Sequence, residues 1–292
     1  MPVRPLRIGT RASLLAKVQA DLVKDRLASL DPSVPSVPVE IRSAGDRQGG
    51  SLRAIGITGV FTAALEDALR RGQVEVAVHS LKDLPVVLGA DVTVAAVLER
   101  EDVRDACLTR EGVPLSELPP GSRVGTSSPR REAMLLHSYP HLKVTEIRGN
   151  IDTRLKKLDR GEVDALVVAV AGLRRLGVGR PFEILSEDVV MPAPGQGAIG
   201  VETVRESQAA DIVAAIDHLP SRFEVETERA LLRAFGTGCS LPIGAHATLK
   251  GDLLTLRAVV FDDRGRRRAG ERSVRLEDRF REAMGLAREL GA

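Results

Sequence analysis

Residues 143–170, KVTEIRGNIDTRLKKLDRGEVDALVVAV, decide the fold. Within them 143–146 reads as a strand, 151–160 as a helix entered at Asn150, and 165–170 as a second strand that is wholly apolar. A strand, a helix and a strand in close succession form a βαβ unit with parallel strands. Outward from this unit, 106–109 and 123–125 read as further strands, and 129–138 and 171–176 as helices. The N-terminal part alternates in the same way. It shows a strand at 6–10, a helix at 13–29 capped by Ser13 and stopped at Asp31-Pro32, and a strand at 37–43. A helix at 60–71 closed by Gly72 and an apolar strand at 74–80 follow. Between them, 44–59 holds five glycines and few apolar anchors, which predicts a mobile loop. The class is α/β, on mainly parallel sheets.

The stretch PAPGQGAIGVE, 192–202, turns from Pro and Gly to an apolar run and reads as a return crossing into the first domain. Beyond it the pattern changes. A helix at 224–234, a turn at 236–240, strands at 245–249, 253–260 and 272–276, and a helix at 277–290 predict a small α+β domain.

Composition bounds the function. The 292 residues are 43% hydrophobic and 28% charged, values of a globular chain. A net charge of +2 means that any basic site is local. Aromatic residues are 2% with no Trp, so platforms for stacking bases are nearly absent and a nucleic-acid partner is disfavoured. Two cysteines make no disulfide framework, five scattered histidines without a CxxC argue against a metal, and no apolar run is long enough to span a bilayer. MPVRPLRIGT lacks an apolar signal region, so the expectation is a cytoplasmic protein.

Against this even background, basic side chains stand in Gly- and Ser-rich turns at strand ends, where α/β scaffolds mount their sites. In GTSSPRR, Thr126, Ser127 and Ser128 lead into a helix whose first position is Pro129, with Arg130 and Arg131 in the opening turn. Cations at the positive end of a helix are unfavourable unless an anion compensates. The bland reading is a Ser cap followed by two solvated arginines. RGNIDTR brings Arg148 and Arg154 to one helix entry, and local pairing with Asp152 or Glu146 is the alternative. HSLKDLP places Lys82 and Asp83 just past an apolar strand. A carboxylate there, among arginines, suits stabilisation of a cationic transition state, and a surface Lys–Asp pair is the alternative. RIGTRAS adds Arg11 and Ser13, and EREDVRDA adds Arg104 as a weaker member. Cys107, in DACLT, reads as a core residue. Cys239 stands in the glycine-bracketed turn GTGCSLPIG, where attachment, metal binding, redox exchange or a chance thiol are all open. The basic run at 262–272 reads as a solvated hairpin, and GQGAIG matches neither nucleotide-loop pattern.

Taken in order, RIGTRAS, VAVHSLKDLP, EREDVRDA, VGTSSPRR, EIRGNIDTR, AVAGLRRLG, PAPGQGAIGVE and GCSLPIGA resemble the porphobilinogen deaminase (hydroxymethylbilane synthase) family over nearly the whole chain. The resemblance implies a transferase of tetrapyrrole biosynthesis. It joins four porphobilinogen molecules head to tail with loss of ammonia, then releases 1-hydroxymethylbilane by hydrolysis. It implies a dipyrromethane cofactor tethered by a thioether to Cys239, and Asp83 as the catalytic residue. Lys82, Asp83, Thr126, Ser127, Ser128, Arg130, Arg131, Arg148 and Arg154 match the cofactor contacts. Arg11, Ser13, Arg148, Arg154 and Gln196 match the substrate contacts. Each pyrrole carries an acetate and a propionate, so the arginines meet a polyacid. Two departures stand out: Thr58 replaces the family's loop lysine, for which Arg47 or Arg53 would substitute, and Ser240 follows the cysteine.

The resemblance also implies three domains, the first two like the halves of a type II periplasmic binding protein with the site in their cleft. The expected boundaries are 1–98 with 196–218, then 99–195, then 219–292, in a monomer. Two rivals remain. A non-catalytic anion-binding protein of the same architecture would leave Asp83 and Cys239 unexplained, and a nucleic-acid-binding regulator would lack aromatics and a reading motif.

Overall fold

The computed structural model describes residues 4–42, 58–236 and 241–292, with side chains of the second helix described from Thr62 onward. From the N-terminus the elements run β1 (Leu6–Thr10), α1 (Leu14–Leu30), β2 (Ser36–Glu40), α2 (Thr58–Arg70), β3 (Val76–Ser80) and β4 (Val92–Val97). Next come β5 (Asp105–Thr109), β6 (Arg123–Gly125), α3 (Pro129–Ser138), β7 (Lys143–Thr145), α4 (Ile151–Asp159), β8 (Ala165–Ala169), α5 (Val170–Arg175) and β9 (Glu183–Ile184). The chain closes with β10 (Ile199–Val204), α6 (Gln208–Ala214), α7 (Leu219–Ala234), β11 (Ile243–Lys250), β12 (Leu253–Phe261), β13 (Arg267–Arg275) and α8 (Arg279–Leu290). These residues divide into two compact units, 1–100 with 198–226, and 101–197 with 227–292.

The sheet of the first unit has the order β2-β1-β3-β10-β4. β2, β1 and β3 are parallel, while β10 runs antiparallel to β3 and β4. The return crossing expected at 192–202 is this fourth strand. Alternate residues of β3 serve two cores. Val76 and Val78 pack with Val23 and Leu27 of α1, and Ala77 packs with Leu65 and Leu69 of α2. A strand buried on both faces carries an unbroken apolar run, which is why β3 is so plain in the sequence.

The second unit repeats the pattern in the order β7-β6-β8-β5-β9, again with three parallel strands and then antiparallel neighbours. The same unit holds the antiparallel sheet β11-β12-β13. Ala245, Ala247, Leu254 and Leu256 of that sheet lie on Ala283, Leu286 and Leu290 of α8. Val259 and Phe261 instead join Val167, Val190 and Met191 in the core of the five-stranded sheet. That shared core is why the C-terminal sheet groups with the second unit. At the other end of the expected third domain, Val225 of α7 packs with Leu81, Leu84 and Val97 of the first. Among the described residues no helix is long and apolar enough to cross a membrane.

Candidate active site

In the first unit, β1 and β3 are parallel neighbours, Ile8 opposite Val76 and Gly9 opposite Ala77. Their carboxyl ends therefore share one sheet edge, and the turns that follow carry Arg11 with Ser13 and Lys82 with Asp83. Ser13 is the N-cap of α1, its hydroxyl accepting from the Ala16 amide at 3.3 Å. Leu81–Asp83 is a single 3-10 turn. It is anchored where the Leu81 amide donates to the Ala198 carbonyl at 3.0 Å. Beneath it the Ser80 hydroxyl and the Gln19 amide bond each other, so β3 is tied to α1. This anchoring leaves Asp83 exposed. Among the described residues its carboxylate has no hydrogen-bond or ion-pair partner. It is open to a ligand.

In the second unit, β6 and β7 are likewise parallel, Gly125 opposite Thr145. The turn after β6 holds Thr126, Ser127 and Ser128, and Ser128 caps α3 by accepting from the Arg131 amide at 3.4 Å. The turn after β7 holds Arg148, Gly149 and Asn150. Gly149 has φ +114° there, a conformation that needs glycine. Arg154 joins the two turns, with Nε donating to the Gly149 carbonyl at 2.7 Å and Nη2 to the Ser127 hydroxyl at 3.3 Å. Arg148 is exposed and pairs with Glu146 at 2.8 Å, one of the two local pairings weighed from sequence. Asn150 occupies the cap position of α4 without a capping side-chain bond.

Arg130 and Arg131 correct the expectation of open-turn arginines. Each is only 6% exposed, and each donates through Nη2 to one oxygen of the fully buried Asp105 at 2.8 Å. Arg130 also donates to the Met191 carbonyl, and Arg131 to that of Val167. Removing one partner of a buried ion pair costs about 3–5 kcal/mol. A charge-assisted hydrogen bond to a ligand contributes about 1.5–3 kcal/mol. Leaving Asp105 for a ligand would thus cost each guanidinium more than it gains. Gln196, expected near the substrate, is fully buried, and its amide donates to Asp105 at 2.8 Å and to the Val103 carbonyl at 2.7 Å. Arg104 forms a two-point pair with Asp102, at 2.9 and 2.7 Å, which holds that carboxyl below its usual range.

Two residues of the site region were not singled out from sequence. Asp105 had a signal, an acid opening the apolar strand DACLT, since a buried carboxylate requires cations. Arg175 had none beyond its motif. It is largely buried, which lowers its pKa, and donates to the Gly197 carbonyl at 2.6 Å. Arg174 beside it pairs with Glu101 at 2.8 Å. Cys239, Ser240, Arg47, Arg53 and residues 44–57 of the expected loop lie outside the described residues, as does the side chain of Thr58; residues 58–59, read as loop, instead open α2. Cys107 is buried as expected, and burial pushes its thiol up to about 12.

The family model "Porphobilinogen deaminase, dipyromethane cofactor binding domain" matches residues 6–211, and "Porphobilinogen deaminase, C-terminal domain" matches 222–292. The chain belongs to the porphobilinogen deaminase family. Porphobilinogen deaminase from Roseiflexus sp. (strain RS-1) is 43% identical over 98% of this chain and 95% of its own. That from Thermobifida fusca (strain YX) is 44% identical over 100% of this chain and 92% of its own. Among solved structures, the methionine binding protein MetQ aligns at 11% identity with TM-score 0.47, covering 77% of this chain and 93% of that chain. So distant a likeness adds nothing to the strand orders above.

Porphobilinogen deaminases polymerise porphobilinogen into hydroxymethylbilane in tetrapyrrole biosynthesis, and the matched domain binds dipyrromethane. The donors of the second unit's edge fit that group. Hydroxyls, guanidiniums and a helix N-terminus suit a ligand whose rings bear carboxylates. The buried Nε of Arg131, which has no hydrogen-bond partner, adds to the positive character there.

Proposed function

We propose that this chain carries its dipyrromethane on Cys239, that Asp83 is its catalytic residue, and that Ser127, Ser128, Arg148 and Arg154 hold the ring carboxylates. The observation that carries the reading is the bond from Arg154 to Ser127. It joins two turns, distant in sequence, into one anion-binding edge. When bound, the dipyrromethane supplies the free pyrrole α-carbon at which the chain grows.

The residues do the rest. Arg148 is exposed and needs to turn only from Glu146 to reach a propionate. Arg154 is fixed at two points, Nε on the Gly149 carbonyl and Nη2 on the Ser127 hydroxyl, so its charge stands at the junction of the two turns. Asp83 stands exposed on an anchored turn, placed to accept from pyrrole N–H groups. As ammonia leaves porphobilinogen, the C–N bond breaks and positive charge is left on the retained pyrrole ring and its methylene. The Asp83 carboxylate lowers that barrier by charge rather than by giving up a proton. Arg11 and Ser13, on the same sheet edge, meet the incoming substrate's carboxylates, and Lys82 meets those of the cofactor. The chain works in the cytoplasm, as a monomer, on a small molecule.

Intact-protein mass spectrometry tests the tether. The unsubstituted chain should weigh more than its sequence by two linked pyrroles, and Cys239→Ser should lose the excess. An unmodified mass in active protein would overturn the reading.

A further inference from the structure

Arg130, Arg131 and Gln196 converge on the one carboxylate of Asp105, from the first turn of α3 and from the segment that leads into β10. Two guanidiniums against one carboxylate leave this buried cluster one positive charge in excess. Burial pushes the Arg130 pKa down, Asp105 opposes it, and the charge of Arg131 adds to the downward push. Arginine nonetheless remains protonated in proteins. The excess charge stands beneath the N-terminus of a ten-residue helix, itself an anion-attracting end. The buried Nε of Arg131 has no hydrogen-bond partner.

We propose that Asp105 is a positioning residue that sets the anion affinity of this edge. It fixes both guanidiniums under α3 and neutralises only one of them. The remaining charge is completed by a ring carboxylate seated at Ser127 and Ser128. The cluster is a tuned deficit. Without Asp105 the apo-protein would carry two unbalanced buried charges, and with a second acid the edge would lose its pull on the ligand. Through Gln196 the same carboxylate also fixes the 192–197 segment on which the chain returns to β10. The inference rests on the reading of this edge as the cofactor site.

The test uses the full-length Cys239→Ser chain, which lacks the tether, and inorganic phosphate as probe at constant ionic strength. The readout is the thermal midpoint. Added Asp105→Asn should lower the midpoint without phosphate, and phosphate should then raise it by about twice the shift of the parent, since attraction scales with charge. Added Arg131→Gln, which removes the excess charge, should abolish the phosphate response. A merely structural Asp105 would lower the midpoint and leave the phosphate response unchanged. Equal responses in all three chains overturn the proposal. Should Asp105→Asn fail to fold, equal responses of the parent and Arg131→Gln suffice to overturn it. Intact mass of the chain with Cys239 restored separates the two claims. Absence of the two pyrroles there sinks the cofactor reading and leaves the phosphate comparison standing.

Discussion

Asp83 and Asp105 sit in comparable places, one just past the end of β3 and the other at the start of β5, yet burial gives them opposite roles. Asp105 is fully buried and committed to two arginines, whereas Asp83 is exposed on an anchored turn with its carboxylate open. Asp83→Asn should therefore cost about 10²–10³ in kcat, the usual loss when a preorganised electrostatic group is removed, with little change in thermal midpoint. Asp83→Glu should keep more activity, because it keeps the charge. Steady-state rates across pH check this, and near-wild-type turnover by the Asn variant would contradict a charge-based role. The two cysteines should also separate. Burial keeps Cys107 as the thiol, so it should resist alkylation in the folded protein near neutral pH, and Cys107→Ala should leave pyrrole loading intact. Peptide mapping after labelling reads both. At this scale the sequence showed which side chains were unusual but not which way they faced. GTSSPRR reads the same whether its arginines meet a ligand or an internal acid, and only Asp105 decides.

Elements were more legible than side chains. β1, β6 and α3 stand at the bounds their patterns predict, because each is bracketed by a turn residue or a Pro at the helix start. β4, β9 and α6 were not recognised. β9 has two residues, and α6 is a seven-residue helix, too short for a periodic pattern. β4 follows the VVLG apolar run without a clear boundary, and β10 and β4 meet at a register shift between Val201 and Glu202. Gly149 tests how much the turn after β7 contributes. A Cβ there would fall 2.7 Å from the Thr153 methyl, on a backbone at φ +114°. Gly149→Ala should lower stability by about 1–3 kcal/mol, as strained or overpacked sites do. It should also shift Arg154 off Ser127, raising KM for porphobilinogen. Urea unfolding and initial rates measure the two effects.

For the whole molecule, arginine-paired carboxylates set the response to acid. Hydrogen bonds from Arg7, Arg104 and Arg123 hold Glu75, Asp102 and Asp164 below their ordinary pKa values. A depressed carboxylate contributes stability that is present above its unfolded value, about 4, and is lost as pH falls through the folded value. The arginines stay charged throughout. The thermal midpoint should thus hold from neutrality to about pH 5 and fall steadily toward pH 3. Asp102→Asn should make that fall shallower, and a midpoint profile unchanged by it would contradict the assignment. The two mainly parallel sheets were legible because parallel strand and helix alternate twice with a return strand between. The grouping of the C-terminal sheet was not, because Val259 and Phe261 look like any strand residues until their core is seen.

If hydroxyls and guanidiniums at two strand ends grip a polyacid held on Cys239, a crystal structure of the pyrrole-loaded protein will show it. Ring carboxylates should lie within hydrogen-bond reach of Arg148, Arg154 and Ser127, with Asp83 against pyrrole nitrogens. Rings seated elsewhere, with those groups left in solvent, would contradict it.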